Sequence, residues 1–232
     1  MDDTSSYSVL DILDMIDKIK SSNPDDLLNY KKQKIQVSDK ALRLFNIIEK
    51  GDKRYRRVLL GDDAINIRLT AFNKQAEMFD NLLIERGSKI TITNVSINLD
   101  ITNPSLKTSS SSYIYINEPS NIKTKSIAEI TETDRDFDII AQIIEISGMR
   151  YVTSKLTNRS IASATAKLSD STGTITAFFN GRSAEILQRL HVSDIVKIEY
   201  CKTKKTNDNR IFLIVSESSR ILANQRLKDR MK

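Results

Sequence analysis

The 232-residue sequence has one cysteine, Cys201, and one histidine, His191. A lone cysteine excludes a disulfide framework and points to a reducing cytoplasmic compartment, and the two residues together leave no Cys/His cluster for structural zinc. Long apolar runs are missing too: none approaches the roughly 18 residues of a spanning helix, and "MDDTSSYS" at the start lacks the basic and apolar regions of an export signal. Neither membrane insertion nor export is expected. There is no G-x-x-x-x-G-K-[ST] phosphate loop and no G-x-S-x-G elbow, and one histidine cannot serve the His-based patterns of hydrolases. "DRDFD", Asp134 to Asp138, alternates carboxylates but lacks the glycine and distal glutamate of a calcium loop, so it reads as linker or strand-start charge. His191, between an apolar helix end and a strand, reads as structural, and Cys201 sits on a strand with no activating neighbour. The expectation is a protein without catalysis, metal or cofactor.

What is present is a globular composition, 39% apolar and 28% charged, with a net charge of +6. The excess is placed unevenly. Residues 1–34 carry 5 basic and 7 acidic side chains, whereas residues 134–232 carry 17 and 11. A basic second half directs attention to polyanions.

The chain also repeats itself. "IRLTAFNKQAEMF", Ile67 to Phe79, and "ITAFFNGRSAEIL", Ile175 to Leu187, share a T-A-F core followed by a helix-like run. Around the second copy, "FDIIAQIIEIS", "IASATAKLS" and "TITAFF" read as three strands, "DSTG" as a tight turn, "GRSAEILQRL" as a short helix, and "SDIVKIEYCK" and "RIFLIVS" as two further strands. The first copy follows the same scheme through "ALRLFNIIEK", "RYRRVLLG", "NIRLTAF", "NKQAEMFDNLL", "SKITITNVSIN" and "SSYIYINE". Three meandering strands, a helix and two strands make the five-strand Greek-key barrel of the OB-fold. The fold class is thus mainly β: two tandem OB-fold barrels behind a short N-terminal helical segment. The expected division is residues 1–34 as helical segment, 35–118 as first barrel, 119–136 as polar linker, 137–222 as second barrel and 223–232 as basic tail. Val9, Leu10, Ile12, Leu13, Ile16 and Ile19 form an apolar stripe on the first helix, and Asn23-Pro24 starts a second.

Strand parity isolates two aromatic residues. If Leu69 and Ala71 face inward, Phe72 points outward with Arg68 and Thr70. If Ile175 and Ala177 face inward, Phe178 points outward with Thr174 and Thr176, while Phe179 continues the inward series or lies in a bulge. An outward ring on a curved sheet is a platform for a nucleic-acid base.

These residues also resemble a family. "IRLTAFNKQAEMFDNLL" with "YIYINEPS" is similar to the first DNA-binding OB domain of the replication protein A large subunit, and "TSKLTNRSIASATAKLSDSTGTITAFF" with "SESSRILAN" to its next one. The resemblance spans about Ile35 to Asn224. It implies base-stacking roles for Phe72 and Phe178 and a backbone contact for Arg68. The family's second aromatic, usually in the loop between strands four and five, has no counterpart in "LDITNPSLKTSSS" or "TKKTNDN", which implies weaker binding per barrel. The family's zinc-bearing third barrel and separate N-terminal barrel are also without counterpart, and short two-barrel versions look archaeal or viral.

A groove tracking single-stranded backbone needs lysine and arginine on the sheet face and rim. Candidates in the first barrel are Arg43, Lys53, Arg54, Arg56 and Arg57, with Tyr55 as a possible second stacker. In the second they are Arg150, Lys155, Arg159, Lys202, Lys204, Lys205 and Arg210, with Tyr151. Alternate residues of "KRYRR" must face opposite ways. The leading expectation is a non-enzymatic single-stranded DNA-binding protein of replication, repair or recombination, located with the DNA: cytoplasmic and nucleoid-associated, or nuclear in a eukaryote. An RNA-binding OB protein is the alternative on the same fold. Another is a subunit that docks a protein partner through the helical stripe Val9 to Ile19.

Overall fold

Strand-forming residues spaced by short polar turns and interrupted by helical segments build two units, residues 1–122 and 123–232. The computed structural model describes residues 6–20, 34–100, 103–153, 158 and 160–223. The expected second helix at Asn23-Pro24, the tail 224–232, and Lys155 and Arg159 lie outside the described residues.

The first unit opens with β1 (Ser6–Tyr7) and helix α1 (Val9–Lys20). The helix starts on a reciprocal cap: Ser8 Oγ accepts from Asp11 N, and Asp11 Oδ2 accepts from Ser8 N at 2.8 Å. The barrel is formed by β2 (Lys34–Leu44), β4 (Lys53–Gly61), β5 (Asn66–Phe72), β6 (Lys89–Asn98) and β7 (Ser105–Lys107). β2 is long enough to pair antiparallel with β6 along its first part and with β4 along its last. β4 pairs with β5, β5 runs parallel to β7, and β7 pairs with β6, which closes the circuit. The hairpin between β4 and β5 turns on Asp62, whose Oδ1 accepts from Ala64 N and Ile65 N. Gly61 has φ +122°, and a Cβ there would lie 2.2 Å from Ile65 O, so only glycine fits this corner. Helix α2 (Asn73–Asn81) joins β5 to β6 and buries Ala76 and Phe79.

Two boundaries differ from the sequence reading. The first strand begins at Lys34, not Ala41, and the run "ALRLFNIIEK" breaks after Leu44 before a short β3 (Ile48–Lys50). The fifth barrel strand is Ser105–Lys107, inside the stretch read as a loop. "SSYIYINE" instead supplies β8 (Ile114–Glu118), which pairs with β6 outside the five-strand circuit. Only Leu106 of β7 points into the core, too short a pattern for periodicity to reveal, whereas alternating YIYI reads strongly as a strand.

The apolar stripe of α1 is used internally. Val9, Ile12 and Ile16 belong to the same buried cluster as Val37, Leu44, Leu60 and Ile92, and Val9 N donates to Asp39 Oδ2. Val9, Ile12 and Ile16 are covered by the chain's own first unit, whereas Leu10 of the same stripe is 51% exposed.

The second unit repeats the circuit with β9 (Arg135–Ile146), β11 (Ser160–Asp170), β12 (Gly173–Asn180), β13 (Ile195–Lys205) and β14 (Ile211–Val215), again parallel at β12 and β14. β10 (Arg150–Thr153) extends β11, helix α3 (Arg182–Leu187) follows β12, and β15 (Arg220–Ala223) pairs with β13. Part of the expected linker belongs here. Ile127–Glu129 forms a 3-10 turn with a capping box, Ser126 N donating to Glu129 Oε2 at 2.8 Å. Asp170 Oδ2 accepts from Ile127 N, and Ile127 and Ile130 join the second core. Polar composition hid two isoleucines at the spacing of one turn. Among the described residues no helix is long and apolar enough to cross a membrane.

One feature of this unit is a layer of fully buried charge on β9, β13 and β15. Lys197 Nζ lies 3.8 Å from Asp138 Oδ2 and 3.7 Å from Glu199 Oε1, and Arg220 Nη1 lies 3.4 Å from Glu199 Oε2. The last carboxylate of "DRDFD" is thus part of an ion network. Among the described residues no group of three His, Cys, Asp or Glu is placed to hold a metal ion. Cys201 is buried in β13, and His191 is an exposed turn residue beside Asp194.

Candidate nucleic-acid interface

Register decides which side chains share the outer face of each barrel. In the first, Tyr55 stands opposite Phe72, Arg57 opposite Thr70 and Leu59 opposite Arg68 on β4 and β5. β7 continues the rows with Ser105 beside Arg68 and Lys107 beside Thr70, and β2 adds Arg43 opposite Leu59. The inward partners Val58, Leu60, Leu69 and Ala71 are fully buried, so the outer set is fixed by the pleat.

Phe72 ends β5 in extended conformation, and its N–H donates to Thr108 Oγ1, which holds the strand end in place as α2 begins. Its ring is half-buried, 6.4 Å from the ring of Tyr55 and tilted by 45°. Arg57, Arg68 and Lys107 are exposed on the same face. A ring pair flanked by cations suits an unpaired base with its phosphate: the base meets π-surface and the phosphate meets guanidinium.

Two arginines of "KRYRR" face the other way. Arg56 is only 1% exposed; its Nε donates to Ala76 O of α2 and its Nη2 pairs with Asp80. It ties β4 to the helix, and its burial takes it off the outer face that carries Tyr55 and Phe72, which corrects its place among the binding candidates. Arg54 is exposed but lies 2.7 Å from Glu77 and 3.4 Å from Glu49, so its charge is offset locally, and the hydrogen bond that its Nη1 donates to Glu77 raises its pKa. Lys53 is exposed opposite Lys50 at the tip of the β3–β4 hairpin.

In the second barrel Phe178 stands opposite Thr165 on β11 and Ile214 on β14, with Thr176 two residues before it on the same face. Phe179 is buried, so the inward series continues without a bulge. Phe178 has a partner that the sequence reading missed. Phe212 lies on β14, opposite Lys204, and its ring centre is 4.6 Å from that of Phe178 in an edge-to-face arrangement. Lys202 and Lys204 project from the adjoining β13, opposite Ile214 and Phe212, and both are exposed. β10 brings Arg150 to this face through Ser163, while Tyr151 points to the opposite side and is 66% exposed. Lys205 takes the other parity and pairs with Glu132. Arg210, in the turn after β13, is exposed and donates through Nε to Asp208. Asp208 is pushed below the usual carboxylate range, first by the Thr206 hydroxyl and then by Arg210.

No family model matches the chain, and no curated protein matches it. A solved structure of a replication protein A heterotrimer bound to single-stranded DNA is similar over 90% of this chain, with 17% identity and a TM-score of 0.55. The likeness is one of fold. This chain spans about half of that one, 53%. A replication factor A related protein from Methanobacterium thermoautotrophicum is similar over 45% of this chain and 93% of its own, at 17% identity and a TM-score of 0.39. Fission yeast Pot1 with single-stranded DNA is similar over 83% of this chain and 84% of its own, at 10% identity and a TM-score of 0.37.

In each barrel the site is an aromatic pair at the junction of the third strand with a neighbour, bordered by basic side chains. Parity alone was enough to find Phe212, because Leu213 and Val215 face inward. The resemblance places the family's second aromatic in the loop before β14, whereas Phe212 lies on the strand itself.

Proposed function

We propose that this chain is a non-enzymatic single-stranded DNA-binding protein that holds and protects exposed strands during replication, repair or recombination. The observation that carries this reading is the duplicated ring pair, Tyr55 with Phe72 and Phe178 with Phe212, each on the outer face of a closed barrel beside exposed arginine or lysine. A folded protein gains little by leaving four rings half-open on two equivalent faces, whereas a strand of unpaired bases covers them. Stacking on such rings contributes about 1 to 3 kcal/mol per base and is indifferent to sequence, because every base has a π-face.

At about 4 to 16 nucleotides per barrel, both together hold roughly 8 to 30. One chain carrying two barrels gains avidity, since the second meets the strand at high effective concentration once the first is bound. Arg57, Arg68, Lys107, Lys202 and Lys204 supply the backbone contacts, making binding fall with salt.

Competition tests this reading. A fluorescent 30-nucleotide poly-dT strand is bound, then displaced by unlabelled dT, by duplex DNA of the same length, and by poly-U. Displacement by dT at far lower concentration than by duplex or RNA supports it. Preferential displacement by poly-U assigns the surface to RNA, and absence of binding rejects both.

A further inference from the structure

The outer face of the first barrel continues past its ring pair. Two steps along the same strands, Leu59 on β4, Arg68 on β5 and Ser105 on β7 stand in one row, about 13 Å from Tyr55 and Phe72 at roughly 3.3 Å per residue. A cavity of about 190 Å³ lies at that row. Leu13 of α1, Leu59 and Pro104 give it an apolar side, and Asn66, Arg68 and Asn103 a polar one. These three polar residues are exposed, and among the described residues their side chains have no hydrogen-bond or ion-pair partner. Helix α1 is fastened to the unit by its buried residues and carries Leu13 half-buried beside them, so the end of the face becomes a pocket.

Size and polarity select the occupant. A cavity of about 150 Å³ admits a benzene-sized ring, so this one has room for a nucleobase. Its apolar side offers contact to a ring, and its two carboxamides offer both donors and acceptors to a base edge. A phosphate suits it less, because the turn of α1 that carries Leu13 also presents Asp11 and Asp14, both exposed.

We propose that this pocket receives one base of a strand bound across the Tyr55 and Phe72 rings, with Arg68 on that nucleotide's phosphate. The inference rests on the single-stranded DNA reading above. A base of an unpaired strand leaves its stack at low cost. Its capture fixes the position of a strand that would otherwise slide over rings indifferent to sequence.

The test compares two fluorescent 30-unit strands, poly-dT and a fully abasic phosphodiester chain, across a low-salt series. The proteins are wild type, the Asn66→Ala, Asn103→Ala pair, which strips the polar side, and Leu13→Trp, which fills the cavity; thermal melting confirms that each folds. The expected result is that both variants bind poly-dT roughly 5- to 10-fold more weakly, as one or two hydrogen bonds and a ring contact are lost. The slope of binding against salt stays at its wild-type value, because no phosphate contact is removed. Affinity for the abasic strand is also unchanged, since that strand has no base to enter. Equal loss on both strands, or a shallower salt dependence, makes these residues backbone contacts and overturns the proposal. Unchanged binding to poly-dT overturns it too, and a lowered melting temperature alongside would assign the pocket to the protein's own packing. Failure of the underlying DNA reading looks different: wild type itself does not bind poly-dT, or removing Phe72 and Phe178 changes nothing.

Discussion

Phe178 and Phe212 meet edge to face at 4.6 Å across the parallel pairing of β12 with β14, the junction that closes the second barrel. Tyr55 and Phe72 occupy the corresponding end of the third strand in the first barrel, but as direct partners on antiparallel strands and farther apart, at 6.4 Å. The two barrels thus reach a similar outer pair of rings from different strand combinations.

Replacing Phe212 by alanine is expected to weaken single-stranded DNA binding by about 1 to 3 kcal/mol. Because it touches Phe178, the Phe178→Ala, Phe212→Ala pair should lose less than the sum of the singles. Titration of the four proteins with poly-dT measures this coupling.

The arginines of β4 should separate by parity. Arg56→Leu breaks a buried charge-assisted contact with Asp80 and Ala76 O and should lower stability by about 2 to 3 kcal/mol, with the salt dependence of binding unchanged. Arg57→Ala, at an exposed position, should leave the melting temperature alone and make the salt dependence shallower by about 0.7. Equal behaviour of the two would contradict the assigned register.

Lys197→Met is expected to destabilise by about 3 to 5 kcal/mol, because it leaves Asp138 and Glu199 buried with one cation fewer. Denaturant unfolding checks this. A loss below 1 kcal/mol would contradict a stabilising role for Lys197 in this layer.

Acid should loosen the turn that joins the 3-10 segment to the second barrel. Partial burial of Asp170 raises its pKa, but hydrogen bonds from the Thr172 hydroxyl and from the N–H groups of Ile127, Thr172 and Gly173 outweigh it and hold the carboxylate below its ordinary value. A lowered pKa in the folded state contributes stability that is complete above the ordinary carboxylate value and is lost as pH falls through the folded one. Melting temperature should therefore fall below about pH 4, and less steeply in Asp170→Asn, whose stability at neutral pH is already reduced.

Most of the fold could be read from the sequence, because strand alternation, the Asp62 and Asp170 turns and the duplicated T-A-F helix start are all local signals. The outward placement of Phe72 and Phe178 followed from the same parity. What escaped depends on contacts distant in sequence. β7 exists because β5 and β6 flank it, Arg56 is buried because α2 folds over it, and Val9, Ile12 and Ile16 of the α1 stripe are spent on the first core. Phe212 is different: its parity is local, set by the buried Leu213 and Val215, but its pairing with Phe178 depends on the parallel contact of β12 with β14.

The most direct measurement is the affinity for 30-nucleotide poly-dT, across a salt series, of wild type and the Phe72→Ala, Phe178→Ala double variant. Tight, salt-sensitive binding that weakens by roughly 2 to 6 kcal/mol in the variant is the result this account predicts, two stacks having been removed. Equal binding by the two proteins would contradict it, leaving the rings as packing surface.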